Sequence, residues 1–340
     1  MKLGTLLSGA SLVVVFCLFA ASSCLSPQTT QQTAPQTTEF ASPDQAVKDF
    51  IAALRSNDVT KLKQIFGPEA EEIMSSGDPI ADQRRRAAFL AAYDAKNTLT
   101  PDPEPGTMTL VVGAQDWPLP IPIVKDVQTG QWFFDTDAGK EEIINRRIGQ
   151  NELNVIQVCK ALVDAEQEYS TRVTNADDVP EYTAKVLSDP GKHNGLYWET
   201  HEGEQPSPLG PFMAEAAEQG YSSAENTSGE PRPYHGYLYR IITKQGPNAP
   251  GGERDYFVSG RMIAGFAAVA YPADYGNSGI MTFMVNHDGV VYQKDLGDDT
   301  ATIAKAITVF DPGPGWTKVE AKDLAAPPPS TSPATGANGN

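Results

Sequence analysis

Apolar residues recur every three or four positions from Val47 to Leu54 and again from Val59 to Phe66, the spacing of helices that turn one face to a core. Val47, Phe50, Ile51 and Leu54 form the first face, and Val59, Leu62, Ile65 and Phe66 the second. Ser42 caps the first helix, Pro43 suits its first position and Gln45 completes a capping box. Asp58 caps the second helix, and Gly67-Pro68 ends it. A third helix is expected over about Asp82 to Lys96, where Arg84, Arg85 and Arg86 make the densest basic cluster of the chain, read as a solvated face or as ion pairs, with a binding patch as the less favoured alternative. From Thr107 the period becomes two. MTLVVGA, IPIVKDV and QWFFD read as strands, the last two joined by a turn at Gln128-Thr129-Gly130, while the Pro-rich WPLPIP suits an edge or a bulge.

Helical spacing returns from about Lys140 to Arg172, a proline-free run rich in Glu, Gln and Ala in which Gly149 is the expected break. A loop-rich stretch with many Gly and Pro residues follows, and then the strands HGYLYRII, RDYFVSGRM, FAAVAYP, GIMTFMVN and VVYQKDL. Asn286-His287-Asp288-Gly289 supplies turn residues between the last two. Helices first and an antiparallel meander second, then a long helix and a further antiparallel sheet, predict an α+β fold in two domains, 41–138 and 139–322.

The two ends differ from this body. Residues 1–24 join a lysine, a short apolar run and small residues ahead of Cys24, the pattern of an export signal; the run is too short for a permanent membrane span. Two cleavage chemistries fit: lipoprotein processing, which acylates Cys24 as the new N-terminus, and ordinary signal peptidase at Ala20-Ala21-Ser22. Lipidation is favoured, and it would tether the protein without a spanning segment. Residues 25–40 and 323–340 are rich in Thr, Gln, Pro, Ser and Gly, too polar to bury a core, and read as a linker and a tail. Processing leaves Cys159 as the one thiol of the body, a small buried residue on the long helix by its spacing. A net charge of −17 with no basic run excludes nucleic acid as a partner and leaves the N-terminal lipid as the only contact with a membrane.

The segments DWPLPIPIVKD, GQWFFDTDAGKEEIINRRIGQNEL, SPLGPFMAEAAEQGY, HGYLYRI and GGERDYFVSGRMIAGFAAVAYPADYGNSGIMTFMVNHDGVVYQKDLGDDT resemble, in this order, the bacterial family known as domain of unknown function 2950. That resemblance implies export in Gram-negative bacteria and brings no activity with it. The opening SPDQAVKDFIAALRSNDVTKLKQIF and the meander after it are similar to the cone-shaped nuclear-transport-factor-like fold. The order NELNVIQVCKALVDAEQEYS, HGYLYRI, YPADYGNSGIMTFMVNHDGVVY resembles the globular heads of type IV pilins and pseudopilins, without the hydrophobic assembly helix those proteins carry.

Chemistry leaves few marks. No nucleophile elbow is present, and Gly276-Asn277-Ser278-Gly279 has the wrong spacing for one. The histidines His193, His201, His235 and His287 stand apart from one another, so neither a metal nor another cofactor is expected. Asp135-Thr136-Asp137 begins like a calcium loop but reads better as the cap of the long helix. Arg146 and Arg147 with Glu152 form the expected internal ion-pair set. The candidate binding surface comprises Trp117, Arg146, Arg147, Tyr197, Trp198, Tyr234 and His235, aromatic and cationic groups suited to line a groove. The favoured function is a non-catalytic binding or assembly role in the periplasm, with an envelope protein as partner. An envelope hydrolase with carboxylates and His235 at a domain boundary is the competing class, and small-ligand binding in the first domain is the third. A cleft of converging acids would mark the second, and a large apolar cavity the third.

Overall fold

The computed structural model describes residues 37–172, 179–201, 203–221 and 232–320. Ser42 Oγ accepts the Gln45 N–H and starts α1 (Pro43–Ser56); the Gln45 side chain turns to Asp49 Oδ1 at 2.7 Å, so only half of the expected capping box forms. Asp58 accepts Lys61 N–H and caps α2 (Val59–Phe66). Leu62, Ile65 and Phe66 are buried, whereas Val59 is 47% exposed, because as the first residue of the helix it stays beside its cap on the solvent side. A short α3 (Ala70–Met74) follows, which the sequence reading does not contain. α4 (Pro79–Ala95) begins ahead of Asp82, because the carboxylate that caps it belongs to Asp78, at 3.0 Å from Ala81 N.

The first sheet is antiparallel, built from β1 (Asn97–Pro101), β2 (Thr107–Val112), β3 (Trp117–Pro118), β4 (Ile123–Lys125) and β5 (Trp132–Phe134) in the order β1-β2-β4-β5, with β3 also beside β2. β1 has no apolar alternation to announce it, and its Pro101 is tolerated at a sheet edge. At the other edge, Phe40 exchanges backbone hydrogen bonds of 2.7 and 2.8 Å with Trp132, so residues 37–40, the end of the stretch read as linker, belong to the fold. The core between helices and sheet centres on Phe50, Phe66 and Phe134, whose ring centroids lie 5.0–5.5 Å apart.

α5 (Thr136–Arg172) is 37 residues long, about 55 Å at the α-helical rise. Asp135 Oδ1 accepts Ala138 N–H at its start, as expected. It runs unbroken through Gly149; the cost of an interior glycine, about 1 kcal/mol, is outweighed by burial of Arg147, Ile148, Asn151 and Val155 on either side. Its N-terminal part adds Ile143 to the first core, and its middle lays Val155, Ile156, Cys159 and Val163 on the second.

After α6 (Gly210–Glu218), which lies within the stretch read as loops, come β6 (Tyr237–Ile242), β7 (Lys244–Gln245), β8 (Arg254–Asp255), β9 (Phe257–Val258), β10 (Arg261–Met262), β11 (Ala267–Pro272), β12 (Met281–Asn286), β13 (Tyr292–Asp295), α7 (Thr300–Ala306) and β14 (Thr317–Lys318). The second sheet runs β14-β13-β12-β11-β6, antiparallel throughout, and β11 is buried at every position. The single strand expected over RDYFVSGRM is broken, because Ser259 and Gly260 both adopt left-handed backbone and fold β9 back on β10. The turn at 286–289 joins β12 to β13 as expected, with Asn286 Oδ1 accepting Asp288 N–H and Gly289 at φ 73°. Helices and antiparallel sheets together make an α+β fold. Among the described residues no helix is long and apolar enough to cross a membrane. Cys24, the export signal and the tail from 323 lie outside the described residues.

Candidate functional site

Under α4 the first core is not closed. Ala81 is the only buried residue of this helix; Phe89, Leu90, Ala92 and Tyr93 pack partly buried on the core, and a cavity of about 500 Å³ opens beside them. Phe50 and Leu54 of α1, Leu62 and Phe66 of α2, and Ile73 and Met74 of α3 line it, facing Val112, Leu119 and Ile121 of the sheet region. Phe89 of α4 and Trp117, their rings 6.1 Å apart edge to face, line it too, and Trp117 is 37% exposed. The size and the mostly apolar wall are those of a small-molecule site.

The charged part of the wall is almost wholly arginine: Arg85 and Arg86 from α4 and Arg146 and Arg147 from α5, with Asp82 the only acid. Arg85 is held by Asp82 at 3.1 Å and by Asn151 Oδ1 at 2.7 Å. Arg86 donates to Asn57 Oδ1. Arg146 pairs with Glu142 at 2.7 Å and lies 5.2 Å over the Trp117 ring, a cation–π contact. Arg147 is buried and donates to the carbonyls of Glu72, at 2.9 Å, Ile73 and Ser75, and to Asn277 Oδ1. Its bonds thus join the α3 region to the loop before β12. Burial, and then the Arg85 charge beside it, hold the Arg147 guanidinium down to about 10. Glu152 does not enter this set as expected. Its Oε1 instead accepts the N–H groups of Ile280 and Met281 at 3.0 and 2.9 Å, because it lies about one and a half helical turns further along α5, on a different face, opposite the start of β12.

The structure therefore brings three of the sequence-derived residues, Trp117, Arg146 and Arg147, to one cavity, and places the other four elsewhere. Tyr197 and Trp198 line a second cavity of about 490 Å³ with Ser207 and Met213, and Trp198 stacks on His193 with centroids 4.3 Å apart. Tyr234 and His235 gather with Tyr221 in an aromatic cluster. His235 and Gly236, both left-handed, form the two-residue turn between the bridged residues Tyr234 and Tyr237, which accounts for the positive φ of a histidine. Burial holds the His235 imidazole down to about 4, so it is neutral at pH 7. The nearest buried acid, Asp78, caps α4 and also accepts from Tyr221 Oη at 2.8 Å and Gly236 N at 3.0 Å. Both of its oxygens are thereby committed to joining α4 to the β6 turn.

The family model for proteins of unknown function (DUF2950) matches residues 37–319. The chain belongs to this family. No curated protein and no solved structure matches it. What sets this DUF2950 chain's cavity apart from an ordinary packing defect is its arginine content, and sequence reasoning missed half of it. Arg85 and Arg86 were read with Arg84 as a solvated face or ion pairs, with a binding patch as the less favoured alternative; Arg85 does pair with Asp82, and both also line the cavity. The available signal was the weak apolar periodicity of the α4 segment, RRRAAFLAAY, which cannot close over a core and keep its arginines in water together. Among the described residues no group of His, Cys, Asp and Glu is arranged to hold a metal ion. Cys159 is buried as expected, and burial pushes its thiol up to about 12.

Proposed function

We propose that this protein is an exported envelope protein whose first α+β layer binds a small, largely apolar ligand. The observation that carries the reading is the cavity of about 500 Å³ beneath α4, walled by apolar side chains from four other helices and the sheet region. Export and acylation at Cys24 are supported by the sequence pattern of residues 1–24. A periplasmic tether would hold the binding layer near a membrane, and the long α5 against the second sheet, a pilin-head-like arrangement, would serve as the mount and present a surface to an envelope protein partner. The division at 41–138 and 139–322, with the first domain cone-shaped, is kept as part of the proposal, with residues 37–40 joined to the first domain through Phe40 and the boundary falling in the first turn of α5.

The test is titration of the purified chain with a neutral fluorescent naphthylamine probe, following the rise in probe emission. Saturable binding that is lost in Ala92→Phe, a variant that adds a ring to the cavity wall, is the expected result. Equal binding by a correctly folded Ala92→Phe chain would overturn the reading. Intact mass of the membrane-extracted protein, compared with Cys24→Ala, tests the tether: a diacyl or triacyl increment on the wild type alone is expected.

A further inference from the structure

The chain carries −17 overall, yet the wall of the α4 cavity carries four arginines against one aspartate, a net +3. Two of these cations are matched by the protein, Arg85 by Asp82 and Arg146 by Glu142. Among the described residues Arg86 and Arg147 make no ion pair; the Arg147 acceptors are three backbone carbonyls and one side-chain amide. Arg147 is buried with Asp82 and Asp274 acting on it only from a distance, Arg86 is half-buried, and the low effective dielectric of an apolar cavity strengthens whatever negative group reaches them.

We propose that the cavity takes a single-tailed amphipathic anion, with its apolar chain among the phenylalanines and its anionic head at the cluster of Arg85, Arg86, Arg146 and Arg147. The inference rests on the ligand-binding reading of the same cavity. Charge complementarity selects the head, because guanidinium forks present paired N–H donors in the geometry of a carboxylate or phosphate. The reduced proton affinity of Arg147 agrees, since an anion beside it would restore what burial and Arg85 take away. The volume selects the tail: at the roughly 30 Å³ that a water-sized group occupies in a liquid, about 500 Å³ holds on the order of 15 non-hydrogen atoms. A free fatty carboxylate and a phosphorylated lipid fragment both supply this head chemistry.

Calorimetric titration of the purified chain with decanoate, decyl phosphate and 1-decanol tests the proposal. At least one anion is expected to bind about tenfold or more tighter than the alcohol at low ionic strength, and the more tightly held of the two identifies the head. Arg86→Gln and Arg146→Gln, at positions less buried than Arg147, should each weaken the anion about fivefold or more and leave 1-decanol unchanged. If the alcohol binds as well as both anions, the anion inference fails while the ligand-binding reading stands. If none of the three binds to the folded chain, both fail.

Discussion

Glu166 gives the sharpest quantitative handle on this fold. It lies on α5 with no solvent exposure; one carboxyl oxygen accepts Thr183 N–H at 3.1 Å, and the other has no partner among the described residues. Burial pushes its carboxyl up to about 8 from the ordinary 4.5, against the opposing hydrogen bond from Thr183. The folded chain therefore keeps this proton between pH 4.5 and 8, while the unfolded chain releases it. The stabilising contribution is complete below 4.5 and is lost as pH rises to 8. Each pH unit of that window is worth about 1.4 kcal/mol, so the whole window spans about 5 kcal/mol as an upper bound.

Glu166→Gln keeps the shape and removes the titration. Urea unfolding of both chains at intervals from pH 5 to 9 should show the wild type losing stability relative to the variant. With a slope of about 3 kcal/mol per molar urea, the difference between the two midpoints should change by roughly 1 to 1.5 M across the window. At pH 5 the two should agree to within about 2 kcal/mol, since a neutral amide and a protonated carboxyl leave similar buried groups unpaired. Parallel midpoints at every pH would refute the assignment of a buried, proton-retaining Glu166.

The other predictions concern packing and reactivity. Gly139→Ala should destabilise the chain by about 2–3 kcal/mol in the same urea assay, because the added Cβ would lie 2.4 Å from the Pro120 carbonyl oxygen, a backbone atom that cannot swing aside. Cys159 should react with a disulfide-forming chromogenic reagent only in denaturant, with Cys159→Ala as the blank; rapid labelling of the native chain would contradict its burial and its thiol pushed up to about 12.

Where the sequence was legible, a single local force decided the outcome. The Ser42 and Asp58 caps, the apolar faces of α1 and α2, the 286–289 turn and the long α5 all follow from side chains acting on backbone within a few residues. Elements whose existence depends on distant partners were not legible. β1 reads as polar loop because its residues are mostly exposed and its strand character comes from pairing with β2. α6 sits in a Gly- and Pro-rich stretch read as loops, yet Pro211 serves its first turn.

The candidate site shows the same division more sharply. Trp117, Arg146 and Arg147 stood out by type, but Glu152 as their partner failed because sequence proximity on a helix does not decide which face meets which loop. Arg147 instead draws its acceptors from Glu72 to Ser75 and from Asn277, segments separated from it by 72 to 130 positions. Such a cation is not there for a direct ion pair: among the described residues Asp82 and Asp274 act on its charge only from a distance, and its hydrogen bonds go to carbonyls and an amide. It braces the α3 region against the second sheet and in doing so points a charge at an apolar cavity. A variant that removes the Arg147 charge would disturb this brace and the cavity together, whereas among the described residues Arg86 hydrogen-bonds Asn57 alone and can be neutralised without the brace. The contrast between Arg86 and Arg147 is therefore the one that separates a site shaped for an anion from a seam that merely holds the two sheets together.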